Sequence, residues 1–208
     1  AGLDFDPLAE LSAACKKFGV RFGTYYSIVD WEFPTSGPGA MKDGGKERYV
    51  QYMRDQVREL IEKYDTDILW FDGDWKKWWT LEDGAEFYAY IRGLKPSIII
   101  NNRVSKRAEF KRDFGTPEQN TPGLDLGYDW EACWTINHSW GFKKADTTWK
   151  STQELVEKLS DIASKGGNLL LNVGPKPDGA FPEASIGQLH EMGQWMQVAG
   201  EGIYGTDS

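Results

Sequence analysis

The residues most able to do chemistry are Asp72-Gly73-Asp74-Trp75, which close the run Thr66-Asp67-Ile68-Leu69-Trp70-Phe71. Ile68 to Phe71 has the length and side chains of a strand buried on both faces. Gly73 lets the chain turn sharply behind it. Asp72 is therefore expected at the C-terminal tip of an inner strand, the end at which barrels and doubly wound sheets carry their sites. A carboxylate there either caps the next helix or acts on a ligand. Trp70, Trp75, Trp78 and Trp79 are expected to crowd around it, and aromatic surfaces beside a carboxylate suit the apolar face of a sugar ring.

Cleaving a glycosidic bond needs one carboxylate as nucleophile or base and a second carboxyl kept protonated as the acid. Asp72 is the first. Two residues compete to be the second. Glu118 follows Pro117, whose ring restrains the backbone just before it. Glu131 follows Trp130, an apolar wall of the kind that raises a carboxyl pKa. Residue chemistry leaves both open. The two histidines offer less: His190 falls on a helix, and His138, in a long loop, reads equally as loop packing or as part of a pocket. With no G-x-S-x-G motif, nothing points to a Ser-His-Asp hydrolase. Metal sites need clustered ligands, and Asp72 with Asp74 alone does not make one.

The elements that must position these groups alternate. Asp6-Pro7 opens a helix carrying Leu8, Leu11, Cys15 and Phe18, with Cys15 expected in its buried face. A strand follows over Val20 to Ser27, ending in Tyr25 and Tyr26, and then a loop from Glu32 to Gly45 rich in Gly and Pro. Val50, Met53, Val57, Leu60, Ile61 and Tyr64 mark the helix leading to the Asp72 strand. A helix near Glu82 to Leu94 precedes the strand Ile98 to Ile100, which ends in Asn101-Asn102-Arg103. Residues 104 to 150 read mostly as loop, with a short strand at Trp134 to Ile136; a loop of that length usually has a function. Ser151-Thr152-Gln153-Glu154 has capping-box spacing. Its helix leads to a strand over Asn168 to Val173 and a last helix with Ile186, Leu189, Gly193 and Met196. This is an α/β chain with a parallel sheet. No G-x-G-x-x-G or P-loop opens a helix, whereas polar residues end nearly every strand (Tyr25, Asp72, Arg103, Asn172), which favours a barrel.

Composition narrows the partners. At 208 residues one domain is the default. A net charge of −8 argues against nucleic acid, and no apolar run is long enough to span a membrane. The start, Ala1-Gly2-Leu3-Asp4, has neither the basic residues nor the apolar stretch of a signal peptide. The unusual number is ten tryptophans, gathered in Gly- and Pro-rich segments as in a lined pocket.

Taken together, several short motifs resemble the retaining α-L-fucosidases of glycoside hydrolase family 29. They are Gly23-Thr24-Tyr25-Tyr26-Ser27, Asp30-Trp31, Leu69-Trp70-Phe71-Asp72-Gly73, Asn102-Arg103, Thr116-Pro117-Glu118, Trp130-Glu131, Ser139-Trp140-Gly141, the run Ser164 to Asn172, and Gly200 to Gly205. They keep the family's order over nearly the whole chain. The resemblance implies a (β/α)8-type catalytic domain, double displacement and no cofactor. It implies Asp72 as the nucleophile and Glu118 as the acid/base, with Glu131 as the alternative. Tyr25, Trp70 and Arg103 would line the fucose subsite, and Trp140 joins them as a substrate-binding residue.

Against the family pattern the chain resembles strands three to eight, about six βα units, without the first two units or the β-sandwich that usually follows. Residues 1–208 are thus expected to form one incomplete catalytic domain. Its open edges are expected to drive self-association into a homo-oligomer. The expected ligand is a fucosylated glycan or small fucoside, with a sugar-binding remnant of weak activity as the alternative.

Overall fold

The computed structural model describes residues 4–33 and 44–206. Most of the loop expected from Glu32 to Gly45 lies outside them. The chain divides into two compact units, Ala1–Gly115 and Thr116–Ser208. Both are α/β, and every strand pair is parallel. Among the described residues the strands number five rather than six, in a three-stranded and a two-stranded sheet. None of the described helices is long and apolar enough to cross a membrane.

In the first unit, helix α1 (Pro7–Lys17) is capped by the Asp6 carboxylate, which accepts from the Leu8 and Ala9 N–H groups. Its apolar stripe is not covered: α1 holds no buried residue, and Cys15 is half-buried rather than buried. The nearby hydrogen bond is polar, from the Ser12 hydroxyl to the Tyr64 carbonyl. Strands β1 (Gly23–Ser27), β2 (Ile68–Asp72) and β3 (Ile99–Ile100) lie in that order, with Tyr25 opposite Trp70 and Ser27 opposite Asp72. Helices α2 (Gly45–Glu62) and α3 (Leu81–Leu94) connect them.

The β2 strand corrects the expectation of burial on both faces. It alternates: Leu69 and Phe71 are fully buried, while Ile68, Trp70 and Asp72 are only partly covered. The buried face joins Met53 and Val57 of α2 and Phe87 and Ile91 of α3 in one core cluster. A continuous apolar run such as Ile68 to Phe71 cannot reveal this, because Trp70 reads as core yet serves the other face.

The β3 strand is short because a side chain takes over its ladder. The buried Asn101 accepts from the Phe71 N–H (2.8 Å) and donates to the Phe71 carbonyl (2.9 Å). The amide satisfies strand groups that would otherwise be orphaned. It also frees the backbone to turn into a 3₁₀ segment, Asn102–Val104, which carries Arg103.

In the second unit, β4 (Trp130–Thr135) pairs with β5 (Gly167–Asn172), and α4 (Thr152–Ala163) and α5 (Glu183–Ala199) complete it. The β4 strand begins earlier than the expected Trp134 to Ile136. Trp130 is buried, its indole N–H reaches the Lys165 carbonyl, and a Cβ on Gly167 would lie 2.4 Å from its ring. Only a glycine there lets the strands close over the indole.

Candidate active site

On the partly covered face of β1 and β2, Tyr25 and Trp70 meet across the register with ring centroids 5.7 Å apart and planes 19° from parallel. Asp72 ends β2 on that face. Its two oxygens have different donors: the Tyr25 hydroxyl donates to Oδ2 and Arg103 Nη1 donates to Oδ1, each at 2.9 Å. Donors on both oxygens orient the carboxylate, and the charge-assisted bond from arginine is the stronger kind. The Arg103 side chain is 2% exposed against 21% for Asp72, so the cation is sunk beneath the carboxylate and the carboxylate faces outward. The Arg103 guanidinium also lies 4.6 Å from the Trp70 ring centroid, a cation–π contact that ties the aromatic wall to the ion pair. The structure therefore gathers Tyr25, Trp70, Asp72 and Arg103 at one place.

Gly73 allows the turn out of β2. Its φ is +104°, and an added Cβ would sit 3.1 Å from Ile28 Cβ and from Val29 Cγ2. The dihedral strains any larger residue, and a Cβ fits only if Ile28 and Val29 shift slightly.

Of the four tryptophans expected around Asp72, the structure assigns Trp70 to it. Trp79 is fully buried, with its indole N–H on the Val104 carbonyl, and Trp78 packs edge-on against Trp79 and Tyr49. Trp75 is exposed on the loop after β2. The sequence showed aromatic density but not which rings belong to the core.

The sequence also missed a neighbouring ion pair. Asp74 is buried, and Arg107 Nε and Nη2 hold its carboxylate at 2.7–3.1 Å. Arg107 Nη2 comes within 4.0 Å of Asp72 Oδ1. Lys106 donates to the carbonyls of Asp74 and Lys76, so this segment straps down the loop that follows the nucleophile candidate. In the sequence, Lys106-Arg107 looks like an ordinary solvated basic pair, and no local signal joins it to a carboxylate some thirty residues earlier.

The second unit carries the other candidates. Glu118 makes a one-residue parallel bridge with Cys133: the Cys133 N–H donates to the Pro117 carbonyl (3.0 Å) and the Gln119 N–H to the Cys133 carbonyl (2.9 Å). Gln119 adopts a positive φ of 50° and its amide donates to the Thr135 hydroxyl, so the backbone is held on both sides of Glu118. Glu118 itself is exposed. Glu131 is the second residue of β4, half-buried and in register with Asn168. Trp140 is partly exposed, and its carbonyl accepts from the Asn172 side chain at the end of β5 (2.7 Å). His138 lies in the same loop with its backbone N–H on Asp146. The Ser139 hydroxyl, then the Thr148 and His138 N–H groups, hold the Asp146 carboxyl below its usual range. His190 is exposed on α5. The Lys150 ammonium donates to the Thr135 and Asn137 carbonyls, and burial lowers its pKa. These bonds fix the loop after β4. Among the described residues no cluster of His, Cys, Asp and Glu could hold a metal ion.

An Asp at a strand tip, clamped by Tyr and Arg beside stacked aromatics, suits carbohydrate chemistry without naming the sugar. The comparison with known proteins does so: the sequence model of the α-L-fucosidase family matches residues 1–201. The chain belongs to that family. It is 32% identical to plasma α-L-fucosidase of Rattus norvegicus over 97% of its own length and 46% of the relative's. Its structure superposes on α-L-fucosidase isoenzyme 1 of Paenibacillus thiaminolyticus with a TM-score of 0.80 at 35% identity, covering 95% of this chain and 53% of that one. For the Thermotoga maritima α-fucosidase in complex with fucose, the values are 0.74 and 34%, over 99% and 48%. The chain spans about half the length of the curated relatives it matches.

Proposed function

We propose that this chain carries the reacting half of a retaining exo-α-L-fucosidase that hydrolyses terminal α-L-fucose by double displacement, without a cofactor. The observation that carries the reading is the Asp72 carboxylate. It is oriented by Tyr25 and Arg103 at the strand tip, beside the Tyr25–Trp70 wall. Asp72 attacks the anomeric carbon and holds the sugar as an ester while the aglycone leaves; water then releases it. Tyr25, Trp70, Arg103 and Trp140 line the sugar site. In this reading both compact units belong to one catalytic domain of (β/α)-barrel type.

Glu118 supplies the proton to the leaving oxygen and later takes one from water. Its support is positional. Parallel sheets carry chemistry at the C-terminal strand ends, and Glu118 stands level with Cys133. Glu131, two residues nearer the start of β4, is set back by roughly 7 Å at about 3.3 Å per residue. Turnover of p-nitrophenyl α-L-fucoside by the purified chain tests the whole reading. Fucose binding without turnover would leave a sugar-binding remnant instead.

The same reading includes self-association. Among the described residues β1 pairs only with β2 and β5 only with β4. Phe18 and Val20, a few residues before β1, are exposed, as is Leu170 of β5. Unpaired edges flanked by apolar side chains recruit further strands. Light scattering should give a mass at least twice the 23.6 kDa of the chain, and a monodisperse monomer at micromolar concentration would exclude the association.

A further inference from the structure

Trp31 is the most exposed tryptophan among the described residues. It is 78% exposed, yet the backbone on both sides of it is fixed. The Asp30 carboxylate accepts from the Glu32 N–H (2.9 Å), the Phe33 N–H (3.2 Å) and the Tyr52 hydroxyl (3.0 Å). The Asp30 N–H in turn donates to Tyr49 Oη (2.9 Å), and Tyr49 donates to the Ile28 carbonyl. Phe33 packs on the Tyr49 and Tyr52 rings at 5.1 and 4.6 Å. The Glu32 N–H above all, then the Tyr52 hydroxyl and the Phe33 N–H, keep the Asp30 carboxyl below the usual carboxylate range, so this turn persists in mildly acidic solution. A rigid turn displays an indole that contributes little to the core.

The Lys76 ammonium lies over the indole, 4.8 Å from its ring centroid. Lys76 is itself held, its N–H on the Gly73 carbonyl and its carbonyl on Lys106. Ser27 and Asp72 are register partners, and the Ile28 N–H donates to the Asp72 carbonyl at 2.7 Å. Trp31 and Lys76 therefore follow the same ends of neighbouring strands, each a few residues beyond that pair. They lie on the exit loops of the strands that carry Tyr25 and Asp72.

We propose that Trp31 and Lys76 form the subsite for the sugar unit that bears the fucose, a neutral pyranose leaving group. Its C–H face stacks on the indole, and the ammonium donates to one of its hydroxyls. This rests on the fucosidase reading above and adds the leaving-group side to it.

The test compares a fucosylated lactose with α-L-fucosyl fluoride, whose leaving group has no ring to stack. Trp31→Ala should lower kcat/KM for the trisaccharide relative to the fluoride by about tenfold, the size of one lost stacking contact. Trp31→Phe should recover part of that loss, and Lys76→Met should reproduce a smaller one. A ratio unchanged within about twofold in Trp31→Ala would overturn the subsite while leaving the fucosidase reading intact. If the chain hydrolyses neither compound, the fucosidase reading fails, and lactose alone decides the subsite. Its titration is followed by the Trp31 indole N–H resonance, identified by its absence in Trp31→Phe. A saturable shift sustains the proposal, and no shift up to about 50 mM lactose rejects it, since even weak sugar sites bind in the millimolar range.

Discussion

Asp72→Ala should abolish hydrolysis of p-nitrophenyl α-L-fucoside, and added azide should restore part of it as the β-configured fucosyl azide. A catalytic nucleophile is worth at least roughly 10³-fold in rate, because the residual activity comes only from binding and electrostatics. Removing the carboxylate leaves a space bordered by the Tyr25 hydroxyl and Arg103 Nη1, the two groups that donate to Asp72. A small anion suits that space. Azide then attacks from the side Asp72 used, and with no enzyme ester to displace, the product keeps the inverted configuration. The configuration of the azide matters more than the loss of rate. A variant that merely disturbs the Arg103 side chain would also lose activity, but azide would rescue nothing. Near-normal hydrolysis by Asp72→Ala would remove this residue from the mechanism.

Glu118→Ala should separate substrates by their leaving groups. A general acid contributes roughly 10²–10⁴-fold where the departing oxygen needs a proton. Natural fucosides, whose leaving groups are sugar alcohols, should therefore lose at least about 10²-fold in kcat/KM, within that general-acid range. Nitrophenyl fucosides leave without protonation, so their first step should suffer far less. The backbone bonds on either side of Glu118, from Cys133 and from Gln119, do not involve its side chain. Truncation of the side chain therefore removes the carboxyl and keeps the backbone donors and acceptors of those two bonds. The pattern in Glu131→Ala with Glu118→Ala unaffected would transfer the role to Glu131. Equal losses on both kinds of substrate would mean that Glu118 positions the sugar rather than protonating it.

Much of this protein is written locally. The Asp6 cap and Pro7 set the start of α1, the Val50 to Ile61 spacing marks α2, and Ser151 caps α4 through the Glu154 N–H. Such features depend on residues a turn or less apart, so periodicity and capping chemistry suffice to find them. The same holds for Asp72: an apolar run, a carboxylate and a glycine in succession fix a strand, its tip and its turn. Other features depend on partners far along the chain. Trp70 and Trp79 read alike in sequence, yet one walls the site and the other is buried with its N–H on Val104, because strand register and helix packing decide which face each indole meets. Asn101 looks like a strand end, but its amide continues the ladder of β2 and so turns Arg103 onto Asp72. The Asp74–Arg107 pair and the Trp31–Lys76 contact span 33 and 45 positions, and neither carries a local pattern. By itself the sequence determined the elements, the nucleophile candidate and the family's motifs. The tertiary structure decided which cations and aromatic rings surround that carboxylate, since charge pairing and ring stacking act through distances in space that chain spacing does not encode.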